Sequence, residues 1–335
     1  MQLMDCTLRD GANVLGKGFP ADLTQMILEG LIRNHITLIE FGNAGGIGAY
    51  EVANMIAPLT DLEYLALSRP YADKAELGMF LNAKRFREKN VGLASEYGLR
   101  FLRVGAEPGE YDLTIPVIKA IKQQGLTARY SLMKAYLATP EQAAEEVKHL
   151  RDAGLDELTI MDSAGTMLPE EVAAYTAALR NATDMPIAFH GHNNMGLSSA
   201  NALAAWQNGA SGLDCGLLGM ARSAGNMPTE VAVALMHRLG LLQEVDFYGL
   251  LRFLEQELIP AMQAHQYHVA VTPSDLVLGA SGAHSNFLKL FKQVAQEEQV
   301  DVNQLVMTVS RENRKNPSEA QMRETAGRLR AVPRV

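Results

Sequence analysis

Two histidines separated by one glycine, His190-Gly191-His192, close an apolar run at residues 186–190 and are the side chains best suited to hold a metal ion. In an extended segment residues i and i+2 point to the same face, so the two imidazoles converge on one point. Asp10, just after the first apolar run, adds a carboxylate. Two His and one Asp leave coordination positions open for water or substrate, as a catalytic divalent site requires. Histidines at such a place could instead cap a core by bonding loop carbonyls, but the paired spacing beside Asn193-Asn194 favours metal. Nothing in the spacing chooses the ion: mixed nitrogen and oxygen ligands with a carboxylate suit manganese, magnesium, zinc or iron.

Other charged and polar residues share one placement, at or just after the end of a short apolar run: Arg9, Glu40, Arg69, Arg103, Lys134, Asp162 and Ser163. The runs themselves, at 2–6, 37–41, 63–67, 101–104, 127–133, 157–161, 186–190 and 211–217, read as buried strands. Between them lie helical segments at 21–34, 82–97, 113–124, 140–153, 169–181, 195–208 and 228–239. Thr139-Pro140-Glu141-Gln142 carries a capping hydroxyl, a proline at the first helical position and a reaching amide at the third. Gly125, Gly154 and Gly209 suit left-handed helix stops. Eight near-evenly spaced strand-helix units, with no GxGxxG after the first strand, predict a (β/α)8 TIM barrel rather than an open doubly wound sheet. In such a barrel the active site lies at the carboxyl ends of the strands, where the residues above fall.

The alternation stops near Gly240. Beyond it come a helix at 247–266 interrupted at Pro260, a glycine-rich stretch GASGAHSNF, and helices at 287–298 and 317–329. The expected organisation is a catalytic barrel over 1–240 and a small C-terminal helical domain over 241–335.

Composition bounds the function. With 335 residues, 47 % of them apolar, the chain can build a full core. Thirty basic against 38 acidic residues leave a net charge of −8, which argues against nucleic acid or an anionic membrane as partner. Two distant cysteines, Cys6 and Cys215, form neither a disulfide framework nor a CxxC metal site. Without a secretory leader or a long apolar run, a cytoplasmic location is expected.

Several longer motifs carry a resemblance. TLRDG at 7–11, IEFGN at 39–43, DSAG at 162–165, HGHNNMGLSSANALAAWQNGA at 190–210, GMARSAGNMPTEV at 219–231 and GASGAHSNFL at 279–288 together resemble the metal-dependent aldolase and Claisen enzymes of the RD-motif TIM-barrel metallolyase superfamily, related to HMG-CoA lyase. Within it they are most similar to the 4-hydroxy-2-oxovalerate aldolases. The resemblance implies a carbon-carbon lyase that cleaves a 4-hydroxy-2-oxo acid to pyruvate and an aldehyde. It implies Asp10, His190 and His192 as metal ligands, Asn226 as a further one, and Arg9 as the group that neutralises the enolate. Manganese is the first choice of ion, with magnesium, zinc, iron or cobalt as alternatives. It also implies a homo-oligomer and an aldehyde dehydrogenase partner docked through the C-terminal helices. A Claisen-type acyl-CoA-dependent synthase, or a catalytically weak partner subunit of a dehydrogenase, are the alternatives.

The chain departs from the aldolase pattern in places. Asn13 stands where those enzymes have a histidine base, and Asn cannot take a proton at neutral pH. His284 stands where they have a tyrosine, so His284 or Glu40 becomes the candidate base. The cysteine of the thioester-cleaving lyases is missing near Leu217, and Cys215 reads as a buried strand residue. Arg69, Arg103, Arg129 and Lys134 exceed what pyruvate needs, which suggests an aldehyde bearing a carboxylate or phosphate; pairing with Glu40, Glu107 or Asp162 is the alternative. Arg9, Asn13, Arg103, Lys134 and Ser163 are the expected substrate contacts. A Schiff base on Lys134 is a minor option beside the metal set.

Overall fold

A computed structural model describes residues 1–52, 54–267 and 273–331. Eight strands form the centre: β1 (Gln2–Asp5), β2 (Leu38–Glu40), β3 (Glu76–Asn82), β4 (Phe101–Ala106), β5 (Thr127–Met133), β6 (Glu157–Asp162), β7 (Ile187–Gly191) and β8 (Gly212–Cys215). They pair in parallel in chain order and close into a barrel, β1 meeting β8 from Gln2 opposite Gly212 to Asp5 opposite Cys215. The helices that return the chain are α1 (Ala21–Arg33), α2 (Asp61–Ser68), α3 (Glu88–Glu96), α4 (Ile115–Gln123), α5 (Pro140–Asp152), α6 (Pro169–Ala182), α7 (Ser198–Gln207) and α8 (Thr229–Arg238). The molecule is therefore a TIM barrel. In α1, Leu23, Ile27, Leu28 and Leu31 recur at helical spacing and are all buried against the barrel wall.

One strand lies elsewhere than the sequence suggests. Residues 63–67, expected as the third strand, belong to α2, and the third strand is Glu76–Asn82. The cause is local. The Thr60 hydroxyl accepts the Glu63 N–H at 3.2 Å and the Glu63 carboxylate accepts the Thr60 N–H at 2.7 Å, a reciprocal cap that starts a helix. Tyr64, Leu65 and Ser68 are then its buried face. The helix expected over 82–97 shrinks accordingly to α3.

The chain continues through α9 (Phe247–Phe253), a π-helical turn at Leu254–Leu258, and α10 (Ile259–Ala264). Pro260 sits in the first turn of α10, directly after the widened turn, so its missing N–H interrupts no regular α-helical ladder. Leu250, Phe253, Leu254, Leu258 and Met262 pack within the barrel's own apolar core. A second apolar cluster, including Leu278, Phe291, Val294, Leu305, Val309 and Met322, joins α11 (Pro273–Ser281), α12 (Leu288–Glu297), α13 (Val302–Glu312) and α14 (Glu319–Ala331). Helix α11 extends into the start of the glycine-rich stretch GASGAHSNF. Helix α13 was not anticipated; Asp301 caps it by accepting the Gln304 N–H at 2.8 Å.

These helices sit against the carboxyl-terminal end of the barrel. Gly279 of α11 comes so close to the loop after β7 that a Cβ there would lie 2.6 Å from that of Asn194. Arg314 donates to the Tyr136 carbonyl at 3.0 Å and lies 5.6 Å from that ring's centre. Among the described residues no helix is long and apolar enough to cross a membrane.

Candidate active site

After β1 the chain turns sharply. The N–H groups of Arg9 and Asp10 both bond the Cys6 carbonyl, at 3.1 and 2.8 Å, which holds the two side chains over the barrel mouth. Across it, β7 ends in His190 and Gly191. Parallel register sets His190 beside Met161 of β6 and Asp214 of β8. His192 follows, its N–H bonded to the Asp162 carbonyl at 3.2 Å and its backbone bridged to Asn226.

Asp10 Oδ2 lies 3.3 Å from His190 Nε2 and 3.6 Å from His192 Nε2, and all three residues are buried. Asn226 donates its amide to the same oxygen at 3.0 Å, and its own Oδ1 has no partner. On the far side of His190, Nδ1 meets Asp214 Oδ2 at 3.1 Å. That contact keeps a proton on Nδ1 and, in the neutral ring, turns the Nε2 lone pair toward Asp10. A lone pair facing a carboxylate oxygen needs a cation between them. The orphaned, buried His190 Nε2 and Asn226 Oδ1 therefore fit a divalent ion with mixed nitrogen and oxygen donors.

Electrostatics agree with that geometry. Burial pushes the His192 imidazole down to about 3, with His190, Arg222 and Arg9 adding to the shift against the pull of Asp10, so it stays neutral and able to ligate. Burial opposes the charge on Asp10, yet Arg9 and the two histidines hold its carboxyl well below the usual range. The carboxylates of Asp10 and Asp214, one on each side of the ring, raise the His190 imidazole despite burial.

Behind the triad runs a closed ring of buried charges. Arg9 Nη1 is 3.2 Å from Asp10 Oδ1, and Arg9 Nε donates to Glu40 Oε2 at 2.5 Å. Arg103 grips Glu40 through Nε at 2.7 Å and Nη2 at 2.5 Å, and its Nη1 pairs with Asp214, which returns to His190 and Asp10. Two guanidiniums face three carboxylates in this ring, so with neutral histidines it carries one net negative charge, which a divalent ion reverses.

That ring corrects two expectations. Glu40 is not an available base: although burial opposes its charge, Arg103 and Arg9 hold its carboxyl below the usual range and occupy both oxygens. Arg103 is not a substrate contact, because it is fully enclosed in the barrel interior and its donors are spent on Glu40, Asp214 and Cys6. Arg129 and Arg69 also leave the candidate set. Arg129 pairs with Glu157 at 2.5 Å near the start of β5, 4.9 Å from the Phe101 ring centre. Arg69 follows α2 and precedes β3, stacked 5.6 Å from the Tyr97 ring centre at the amino-terminal end of the barrel.

Lys134 does lie at the mouth, past β5, but its Nζ is bound to Glu107 at 2.6 Å. The Ser163 hydroxyl accepts the Lys134 N–H at 3.0 Å. Asn13 stays close to the triad, donating to the Asp10 carbonyl at 2.9 Å. His284 is buried in the turn before α12, where its Nδ1 accepts the Asn286 N–H at 3.2 Å. Burial, with Arg222, Lys134 and His192 nearby, holds that imidazole well below its ordinary range. Asp162 organises its own loop by accepting the N–H groups of Thr166 and Met167, and burial pushes its carboxyl up to about 6.

Three site residues escape the sequence reading: Asp214, Arg222 and Lys17. Asp214 had a signal, being the only charge within the apolar GLDCGLLGM segment. Arg222, likewise the only charge in the GMARSAGN loop, reaches 3.9 Å from Asp10 Oδ1 and donates to Asn286 Oδ1 at 3.1 Å. It thereby spans from the triad to the C-terminal helices. Beside it opens a cleft of about 530 Å³ lined by Asn13, Lys17, Arg222 and Asn286 among others.

The sequence pattern of the family described as HMGL-like matches residues 1–256. Over 309 residues the chain is 33% identical to 4-hydroxy-2-oxovalerate aldolase 2 of Nocardia farcinica, covering 92% of this chain and 88% of that one. It is 32% identical over 311 residues to 4-hydroxy-2-oxovalerate aldolase of Moorella thermoacetica, covering 93% and 91%. The carboxyl transferase domain from Rhizobium etli pyruvate carboxylase superposes with a TM-score of 0.78 at 17% identity, over 98% of this chain and 60% of that one, a likeness of fold alone.

Proposed function

This chain belongs to the HMGL-like family, and from that premise we propose that it is a divalent-metal-dependent aldolase, cleaving a 4-hydroxy-2-oxo acid to pyruvate and an aldehyde and running the reverse addition. The observation that carries the reading is the convergence of Asp10, His190 and His192, with His190 oriented from behind by Asp214 at 3.1 Å.

In this reading Asp10, His190, His192 and Asn226 hold the ion. A divalent cation there, manganese foremost and magnesium, zinc, iron or cobalt as alternatives, supplies a Lewis acid for a chelating 2-oxo acid. The protein's own groups do the rest. In the cleavage direction the 4-hydroxyl loses its proton, the C3–C4 bond breaks, and its electron pair becomes the enolate of pyruvate, which a proton at C3 then quenches. Arg9, buried and fixed by Glu40 and Asp10, presents a guanidinium to the charge developing on the keto oxygen. Asn13 and Ser163 are uncharged and orient polar groups of the substrate. With Glu40 committed to two arginines, the 4-hydroxyl proton passes to water in the cleft.

His284 serves as a neutral donor rather than a base. Its Nδ1 lone pair is already engaged by Asn286, which leaves the proton of the neutral ring on Nε2. That is the capacity a tyrosine hydroxyl offers as a donor. Residues 1–240 supply the metal site and Arg9, and the C-terminal region adds His284; its helices are the docking surface for an aldehyde dehydrogenase, in a cytoplasmic homo-oligomer acting on small 2-oxo acids.

The deciding experiment is methyl proton exchange of pyruvate in deuterated water, followed by NMR with manganese-loaded protein. Exchange that requires the metal and falls by ~10²-fold or more in Arg9→Lys is expected, since lysine cannot reproduce the guanidinium fork. Absence of exchange in the loaded wild type would overturn the reading.

A further inference from the structure

The four basic residues that suggested an anionic substrate are accounted for elsewhere: Arg69 lies at the wrong end, and Arg103, Arg129 and Lys134 each have a carboxylate within hydrogen-bonding distance. Positive charge nevertheless faces the mouth, from residues of two other loops. Lys17 has no ion-pair partner among the described residues, in a chain with an excess of acids. Arg222 has one carboxylate neighbour among the described residues, Asp10, at 3.9 Å. Both line the cleft beside the proposed metal-ligand set, and among the described residues no Asp or Glu lines it with them. The neutral lining adds hydrogen-bonding groups from Asn13, Ser285 and Asn286.

Two cations on one cleft, with only Asp10 at 3.9 Å from Arg222 to offset them among the described residues, disfavour each other. Burial and the neighbouring Arg222 lower the Lys17 amine. An anion entering between them removes that repulsion and gains two charge-assisted contacts. At about 530 Å³ the cleft is also within the usual range for small-molecule sites, roomier than a two-carbon aldehyde requires.

Position separates the two halves of the substrate. Arg222 touches Asp10 on one side and Asn286 of the C-terminal region on the other, so the cleft runs outward from the triad toward that region. The oxo-acid end belongs at the triad and the aldehyde end farther out. We propose that Lys17 and Arg222 form the acceptor subsite of this enzyme and select an aldehyde that carries an anionic group, carboxylate or phosphate, at the end remote from the carbonyl. The proposal rests on the aldolase reading above.

Aldol addition of pyruvate by the metal-loaded protein tests it with paired acceptors: glyceraldehyde 3-phosphate against glyceraldehyde, and succinic semialdehyde against butyraldehyde. A kcat/KM at least about tenfold higher for one or both anionic members is expected from a charge-assisted contact; which pair shows it identifies phosphate or carboxylate. In Lys17→Ala the ratio within that pair should fall to near one. Isothermal titration of glycerol 3-phosphate and of succinate into the metal-free protein gives a readout independent of turnover, with binding of at least one weakened in the same variant. Equal efficiency for charged and neutral acceptors in wild type, with pyruvate methyl exchange intact, overturns this proposal and leaves the aldolase reading standing. Loss of exchange as well overturns both.

Discussion

Asp214 Oδ2 stands 3.1 Å from Nδ1 of His190 and pairs at the same time with Arg103, so one carboxylate links a histidine of the proposed metal site to the charged interior of the barrel. Its carboxyl is held down at about 2: burial works against the charge, and Arg103 and His190 outweigh it. The histidine's tautomer and ring orientation are thus set by a residue that meets no substrate.

Replacing Asp214 with Asn should weaken manganese binding by about 10–100-fold, the usual effect of losing the outer partner of a ligating histidine. Competition with a chelating dye measures it. Circular dichroism should show an intact barrel, and unchanged affinity would mean that His190 needs no such partner.

His284 offers a choice between two roles. As a neutral donor it should be replaced well by Gln, which keeps an N–H, and poorly by Ala, with turnover falling about 10²-fold or more in the latter. Equal losses in both variants would restore it as the base. Metal content, read by atomic absorption, should not change in either.

The Arg129–Glu157 pair should matter for stability alone. Arg129→Met leaves a buried carboxylate without its partner, which costs about 3–5 kcal/mol. Urea denaturation measures that loss, while manganese affinity and pyruvate exchange should match wild type. An equally large fall in exchange would return Arg129 to the active site.

Asp5 supplies a pH dependence. Its carboxyl is buried between Thr7 and Thr229 and pushed by burial up to about 6. Because the folded value exceeds the unfolded one, the folded state binds more protons between the two, and stability declines as pH rises through that interval. Relative to Asp5→Asn, wild type should lose about 1 kcal/mol between pH 5 and 7.5. Urea melts of both proteins across that range give the difference, and a constant difference would mean that Asp5 ionises as it does in the unfolded chain.

Much of this architecture is legible in the residues because it depends on local period and spacing. Seven of the eight strands fall on the apolar runs that announced them, and Thr139-Pro140-Glu141-Gln142 forms the reciprocal cap its residue types suggest. The exception, residues 63–67, has an apolar density suited to either state. There a cap at Thr60, worth about 1 kcal/mol, selects helix. The convergence of His190 and His192 was equally readable, since a strand places i and i+2 on one face whatever surrounds it.

The sequence alone thus determined the alternation that closes into a barrel, the converging histidine pair on β7 and the carboxylate that meets it after β1. Only the tertiary structure decided which charges are free. Arg103 lies near the end of an apolar run exactly as a substrate contact would, but parallel register brings β4, β2 and β8 around one interior point, and Glu40 and Asp214 neutralise it there. Lys17 and Arg222 lie 205 positions apart in unremarkable loops and meet because barrel closure sets the segment after β1 beside the one after β8. Ion pairing depends on distances of a few ångströms between residues remote in the chain, and those distances exist only once the barrel is shut.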